Sequence, residues 1–274
     1  MIIVKLMGGL GNQMFQYAAA RRLAEVHKTT LKLDLTFLLD RAPRKDFIYR
    51  NYDLNIFNIQ ENFATPEEIK RCKVIKEPYS HFDKNLLNAP DNVYLEGYWQ
   101  SEKYFKDIKQ IIKKEFTFKS SLSEESKRLA DKILSANSVC LNVRRADFVS
   151  NPTANQFHGF VGLDYINKSV KIIVDKVNNL HFFIFSDEIE WCENNIRPDY
   201  PSSFVTHNYA GEEFKDDLHL MTLCKHYIIS NSTFGWWGAW LCENQEKIVI
   251  APKKWFNDKN INTNDIIPKT WLRI

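Results

Sequence analysis

The chain has 274 residues, 44% of them hydrophobic and 26% charged, with a net charge of +3. That balance is ordinary for a globular protein with room for two domains, and so small a positive excess gives no reason to expect nucleic acid as a partner. The five cysteines (Cys72, Cys140, Cys192, Cys224, Cys242) are scattered, odd in number and never in C-x-x-C spacing. They exclude a disulfide framework and a zinc motif, and they fit a reducing, cytoplasmic compartment, the inner face of a membrane included. The first six residues are too short for a signal segment, and no apolar run approaches the ~18 residues of a membrane span.

Residues 2–6 read as a strand, followed by a turn through Gly8, Gly9 and Gly11. Phe15, Ala18, Ala19, Leu23 and Val26 then keep helical spacing, and a second strand over 30–33 ends at Asp34. This is a βαβ start with glycines between strand and helix. Residues 35–90 alternate too loosely to assign, except that Thr65-Pro66-Glu67-Glu68 supplies an N-cap, a proline at the first helical position and a capping-box glutamate. A strand is expected over 93–95, a helix over 101–114, and a link over 116–123. In the second half, apolar strands over 139–143, 181–185, 204–206, 227–229 and 248–251 alternate with helices over 163–177, 187–195, 213–224 and 233–243. Such alternation predicts a doubly wound parallel sheet, with domains over 1–120 and 121–274.

In open α/β sheets, ligands bind beyond the carboxyl ends of the strands. Three strand ends in the second half carry suitable chemistry. The strand at 139–143, which includes Asn142, runs into Arg144, Arg145 and Asp147. Guanidinium groups there offer a planar fork of donors to phosphate oxygens, although a solvated strand end paired with Asp147 accounts for the same residues. The strand at 181–185 runs into Ser186, Asp187 and Glu188, where a carboxylate either accepts from a base or ribose, or caps the next helix. The strand at 227–229 runs into Ser230, Asn231, Ser232, Thr233 and Phe234. Ser232 or Thr233 is a natural N-cap, and a diphosphate takes the same helix-terminal N–H groups. In the first half, Gly9, Leu10, Gly11 and Asn12 open a helix whose first-turn backbone can meet a ligand closely, with Asn12 and Gln13 as further donors.

Gly9, Gly11 and Asp34 partly imitate a dinucleotide fingerprint, but Met14 stands where the third glycine belongs. No two aspartates stand two apart, so a D-x-D metal–diphosphate clasp is missing. Phosphate-loop and nucleophile-elbow signatures are missing too.

Taken together, Gly8-Gly9-Leu10-Gly11-Asn12-Gln13-Met14-Phe15-Gln16-Tyr17, Gly97-Tyr98-Trp99-Gln100-Ser101, Val143-Arg144-Arg145-Ala146-Asp147, Phe185-Ser186-Asp187 and the run over 231–241 resemble the α-1,2-fucosyltransferase family, glycosyltransferase family 11. The resemblance covers nearly the whole chain. It implies a GT-B α/β architecture, two Rossmann-like domains with parallel sheets facing a cleft, the first on the acceptor side and the second binding GDP-fucose. It implies inverting transfer of L-fucose to the 2-hydroxyl of a terminal galactoside in a surface or secreted glycan, with no metal and no cofactor beyond the donor. By resemblance, Arg144 is the pyrophosphate arginine and Arg145 its support. Asp187 is a guanine contact, Asn142 a donor contact, and Asn231, Ser232, Thr233 and Phe234 diphosphate and nucleotide neighbours. The backbone of Gly9, Leu10, Gly11 and Asn12 also meets the donor. Asp147 is the nearest carboxylate in sequence to the phosphate site and is the candidate general base. The chain departs from the usual H-x-R-R-G-D-Y at Asn142, Ala146 and Phe148. A nicotinamide-dependent oxidoreductase resting on Gly9, Gly11 and Asp34, and a nucleotide-sugar-binding protein without turnover, are the alternatives.

Overall fold

The computed structural model describes residues 1–45, 47–78, 81–146, 149, 151–196, 199–206, 214–258 and 260–274. It divides into two units, Met1–Ser120 with Ile261–Pro268, and Ser121–Asn260 with Lys269–Ile274. The sequence around 261–268 gives no sign that this segment packs with the first half.

The first unit is built on β1 (Ile2–Lys5), α1 (Leu10–His27), β2 (Leu31–Asp34), α2 (Pro66–Arg71), β3 (Lys73–Lys76), β4 (Val93–Glu96) and α3 (Lys109–Glu115). Its sheet runs β2-β1-β4-β3, parallel throughout. Ile2, Ile3 and Val4 are fully buried because parallel strands are covered on both faces. α1 buries Met14, Phe15, Tyr17, Ala18, Ala19 and Leu23, whereas Val26, in its last turn, is 52% exposed despite fitting the apolar spacing. The capping box at Thr65 and Glu68 forms with both of its hydrogen bonds. β3 reads Lys-Val-Ile-Lys and is mostly exposed, an edge strand whose lysines discourage further pairing and hide it from a search for apolar runs. The helix expected over 101–114 is broken. Two 3₁₀ turns, Glu102–Tyr104 and Lys106–Ile108, precede α3, because the chain bends at Phe105 (φ −141°) and buries its ring completely.

The second unit contains α4 (Glu124–Ser135), β5 (Asn137–Val143), α5 (Pro152–His158), α6 (Leu163–Val174), β6 (Leu180–Ser186), α7 (Ile189–Asn195), β7 (Ser202–Phe204), α8 (Phe214–Leu223), β8 (His226–Ile228), α9 (Thr233–Leu241), β9 (Val249–Ala251) and β10 (Leu272–Arg273). Its parallel sheet runs β10-β9-β8-β5-β6-β7. β7 lies two residues earlier than expected, where Ser202 and Ser203 pair with Phe182 and Phe183 despite their low strand propensity. Val139, Leu141, Val143, Phe182, Ile184, Ile228 and Ile250 form one core with Ile166 and Ile173 of α6 and Cys192 of α7.

Both sheets reverse their winding beside their first strand. The chain leaves β1 for β2 on one side and returns to β4 on the other. It leaves β5 for β6 and β7, then returns to β8 on the opposite side. The crevice at the carboxyl ends of such a pair is where open α/β sheets bind ligands.

Candidate functional site

In the second unit, register pairs Val143 with Ser186 and Leu141 with Ile228. Arg144, Asp187 and Ile229 therefore leave neighbouring strands at one level. Arg144 Nη1 lies 2.7 Å from Asp187 Oδ2 as an ion pair, and the Arg145 backbone N–H donates to Asp187 Oδ1 at 2.8 Å. Both oxygens of Asp187 thus help fix the turn that presents the arginines.

The two arginines are placed differently. Arg145 is 12% exposed and donates from Nε to Glu188 Oε2 at 2.9 Å. Its guanidinium lies 3.7 Å from the centre of the Trp191 ring and 5.2 Å from that of Phe160. A cation removed from water over an indole face is held by ~2 kcal/mol, so Arg145 braces the end of β5 against α7. Arg144 is 27% exposed and so is the better placed of the two to meet a ligand.

Asn142 is nearly buried and accepts the Ser230 O–H at 3.0 Å through Oδ1. Gly235, in the first turn of α9, makes this contact possible: a methyl group there would overlap the same Asn142 oxygen. Asn231 ties three segments together, its Nδ2 reaching the carbonyls of His158 (3.0 Å), Gly159 (3.3 Å) and Trp255 (3.1 Å). Its Oδ1 is buried with no hydrogen-bond partner among the described residues. Ser232 occupies the N-cap position of α9 in extended conformation, yet its side chain makes no capping bond. Ser232, Thr233 and Phe234 are half-buried at that helix's N-terminus, where partial positive charge favours an anion.

In the first unit the turn between β1 and α1 lies at the other reversal point. Gly8 has φ +74°, and a Cβ there would sit 2.5 Å from Asn12 Nδ2, so both backbone and space require glycine. Asn12 Oδ1 accepts from Gln100 Nε2 at 2.8 Å, which joins the turn to the loop after β4. That loop is held by Glu77, whose two carboxylate oxygens accept the N–H groups of Tyr98 (2.7 Å) and Trp99 (3.0 Å). Trp99 is fixed at φ +55°, an uncommon conformation for so large a side chain. Burial pushes the Glu77 carboxyl up to about 7 against the pull of these two bonds.

Gln13 is fully buried and committed within the protein rather than offered to a ligand. Its Nε2 donates to Gly8 O (2.9 Å) and Asn51 O (2.8 Å), and its Oε1 accepts the Asp53 N–H (3.0 Å). Asp34 is likewise committed, accepting from Thr36 N (2.9 Å), Thr36 Oγ1 (3.0 Å) and Tyr94 Oη (2.7 Å). A buried carboxylate so occupied does not suit a dinucleotide ribose.

The model of the family described as Glycosyl transferase family 11 matches residues 1–274. The chain belongs to glycosyl transferase family 11. Over 291 residues it is 32% identical to the alpha-1,2-colitosyltransferase of Escherichia coli, covering 100% of this chain and 98% of that one. Over 305 residues it is 31% identical to the O-antigen biosynthesis glycosyltransferase WbnK of Escherichia coli, covering 98% and 99%. Its fold is similar to the crystal structure of POFUT1 in complex with GDP, with a TM-score of 0.52 at 13% identity, over 88% of this chain and 93% of that one. The α/β fold with two parallel sheets is of the GT-B class expected from sequence.

For this family 11 glycosyltransferase the structure brings Asn142, Arg144, Arg145, Asp187, Asn231, Ser232, Thr233 and Phe234 to the carboxyl end of the second sheet. Gly9, Leu10, Gly11 and Asn12 lie in the first unit, with Leu10 and Gly11 buried. Asp147 lies outside the described residues. Sequence reasoning missed Trp191 and Phe160 as the partners of Arg145. Glu188 and Trp191, three apart at the start of a helix, were the available signal. It also missed Glu77, which follows a lysine-rich edge strand and has no motif of its own. Among the described residues no group of three His, Cys, Asp or Glu side chains is arranged to hold a metal ion, and no helix is long and apolar enough to cross a membrane.

Proposed function

We propose that this glycosyltransferase moves L-fucose from GDP-fucose to the 2-hydroxyl of a terminal galactoside in a surface or secreted glycan, with inversion and without a divalent ion. In the reaction the acceptor oxygen bonds to the anomeric carbon as that carbon's bond to the β-phosphate oxygen breaks. The electron pair leaves with GDP, and negative charge grows on the β-phosphate. Arg144 answers that charge, and the α9 N-terminus with Ser232 and Thr233 answers the rest of the diphosphate. Donors set in advance stabilise such developing charge without reorganising. The nucleotide lies on the second unit, near Asn142, Asn231 and Phe234. The acceptor belongs to the first unit, and nothing in the proposed scheme needs a membrane-spanning segment, a cofactor or nucleic acid.

The observation that carries this reading is the division of labour between the arginines, Arg145 stacked and ion-paired as a brace and Arg144, the more exposed of the two, at the strand-order reversal. A second donor deserves the same test because one relative is named a colitosyltransferase. Colitose is fucose without its 3-hydroxyl, and a site built to bond that hydroxyl rejects the deoxy sugar strongly, whereas an apolar site does not. The experiment incubates the chain with GDP-fucose or GDP-colitose and a panel of β-galactosides, with EDTA present, and reads product by mass. Fucosylated product with EDTA supports the proposal. Product from GDP-colitose alone would reassign the donor, and GDP binding with neither transfer nor donor hydrolysis would identify a binding protein.

A further inference from the structure

The acceptor hydroxyl has a proton to lose, and the first unit holds a carboxylate, that of Asp53, which accepts no hydrogen bond among the described residues. Gln13 joins the segment that contains Asn51 and Asp53 to the glycine turn, through its bonds to Gly8 O, Asn51 O and Asp53 N. Arg50 lies against the same turn, its Nε 4.0 Å from where a Cβ on Gly9 would stand. Asp53 is thereby placed beside the N-terminus of α1, at the reversal point of the first sheet. It also precedes the 3₁₀ turn Leu54–Ile56, but its side chain makes no capping bond. Among the described residues the carboxyl accepts no hydrogen bond, although it is half-buried and next to a fully buried Leu54. A carboxylate withdrawn from water without a hydrogen bond is costly to keep unless something else uses it.

We propose that Asp53 is the general base that takes the proton from the acceptor hydroxyl, an inference that rests on the transferase reading above. As the acceptor oxygen bonds to the anomeric carbon and GDP departs with the electron pair, the hydroxyl proton passes to an Asp53 carboxylate oxygen and afterwards to water. Burial pushes the Asp53 carboxyl up to about 6, and Arg50, the charged group that faces it, pulls in the other direction. A base in that range is ionised at neutral pH while still accepting a proton readily. Glu77, the other carboxyl raised in this unit, is less suited because both of its oxygens already accept backbone N–H groups.

The test compares wild-type chain, Asp53→Asn and Asp147→Asn with GDP-fucose and a β-galactoside acceptor from about pH 4.5 to 8.5. Wild-type activity should fall as pH drops through about 6. Asp53→Asn should lower kcat by roughly 10²–10⁴, the range that general base catalysis supplies, and remove that acid limb. Its GDP affinity should be unchanged. Its unfolding midpoint at pH 7 should be equal or higher, because the folded state binds the Asp53 proton more tightly than the unfolded chain, and stability is lost as pH rises from 3.8 to about 6. A merely structural carboxylate would move the midpoint and leave the pH profile alone. Equal transfer by wild type and Asp53→Asn across this range would overturn the inference alone, as would loss of the acid limb in Asp147→Asn only. Absence of product from wild type with either donor would overturn the transferase reading, and this inference with it.

Discussion

In both sheets the first strand lies beside the place where the winding reverses, but the residues that follow it differ in kind. After β1 come Gly8, Gly9 and the Asn12 amide, with Gln100 bonded across and Gln13 fastening the turn from beneath. After β5 come Arg144 and Arg145, one set by Asp187 and the other by Glu188, Trp191 and Phe160. One topology therefore supports an edge of backbone and amide groups in the first unit and an edge of fixed positive charge in the second. Uncharged donors and acceptors suit sugar hydroxyls, while guanidinium groups suit phosphate. That difference suits the proposed placing of the acceptor on the first unit and of the diphosphate on the second.

Substitutions on the two edges should then separate cleanly. The largest effect is expected from Arg144→Ala, which removes a donor aimed at developing charge: turnover should fall roughly 10²–10³-fold, about 3–4 kcal/mol, in protein that is still folded at the assay temperature although Asp187 loses its ion-pair partner. Steady-state kinetics beside calorimetry would show it. Its neighbour should behave oppositely. Arg145→Ala strips Glu188 of its partner and Trp191 of its cation, and it should cost about 2–3 kcal/mol of stability, roughly 5–10 °C in Tm. Gly235→Ala should cost about 1–3 kcal/mol because the added methyl displaces the Asn142 oxygen from Ser230, and GDP affinity should weaken with it. The smallest effect is expected in the first unit. Glu77→Ala leaves the Tyr98 and Trp99 N–H groups without their acceptor, for about 1–2 kcal/mol, and should raise the acceptor's KM while sparing GDP affinity. Weakened GDP binding in that variant would erase the proposed division.

The sequence made the second sheet readable because β5, β6, β8 and β9 are mostly buried and appear as largely apolar runs. The same logic concealed β3, whose lysines mark an edge, and β10, whose two residues are half-exposed or more. At the candidate site, motif order and strand ends nominate Arg144 and Asn231. They could not show that Arg145 is enclosed by two rings, or that Gln13 is wholly committed inside the protein, since both depend on partners distant in the chain. Asp53 falls in the region of loosest alternation, where its value comes from burial beside the glycine turn rather than from any local pattern.

The central claim is that Arg144 meets the β-phosphate. It is tested most directly by titrating GDP and GMP into the wild-type chain and into Arg144→Ala. The account predicts that wild type binds GDP at least about tenfold more tightly than GMP, and that Arg144→Ala loses most of that gap because a charge-assisted bond to phosphate contributes ~1.5–3 kcal/mol. A gap of equal size in both proteins would place the β-phosphate elsewhere and contradict the account.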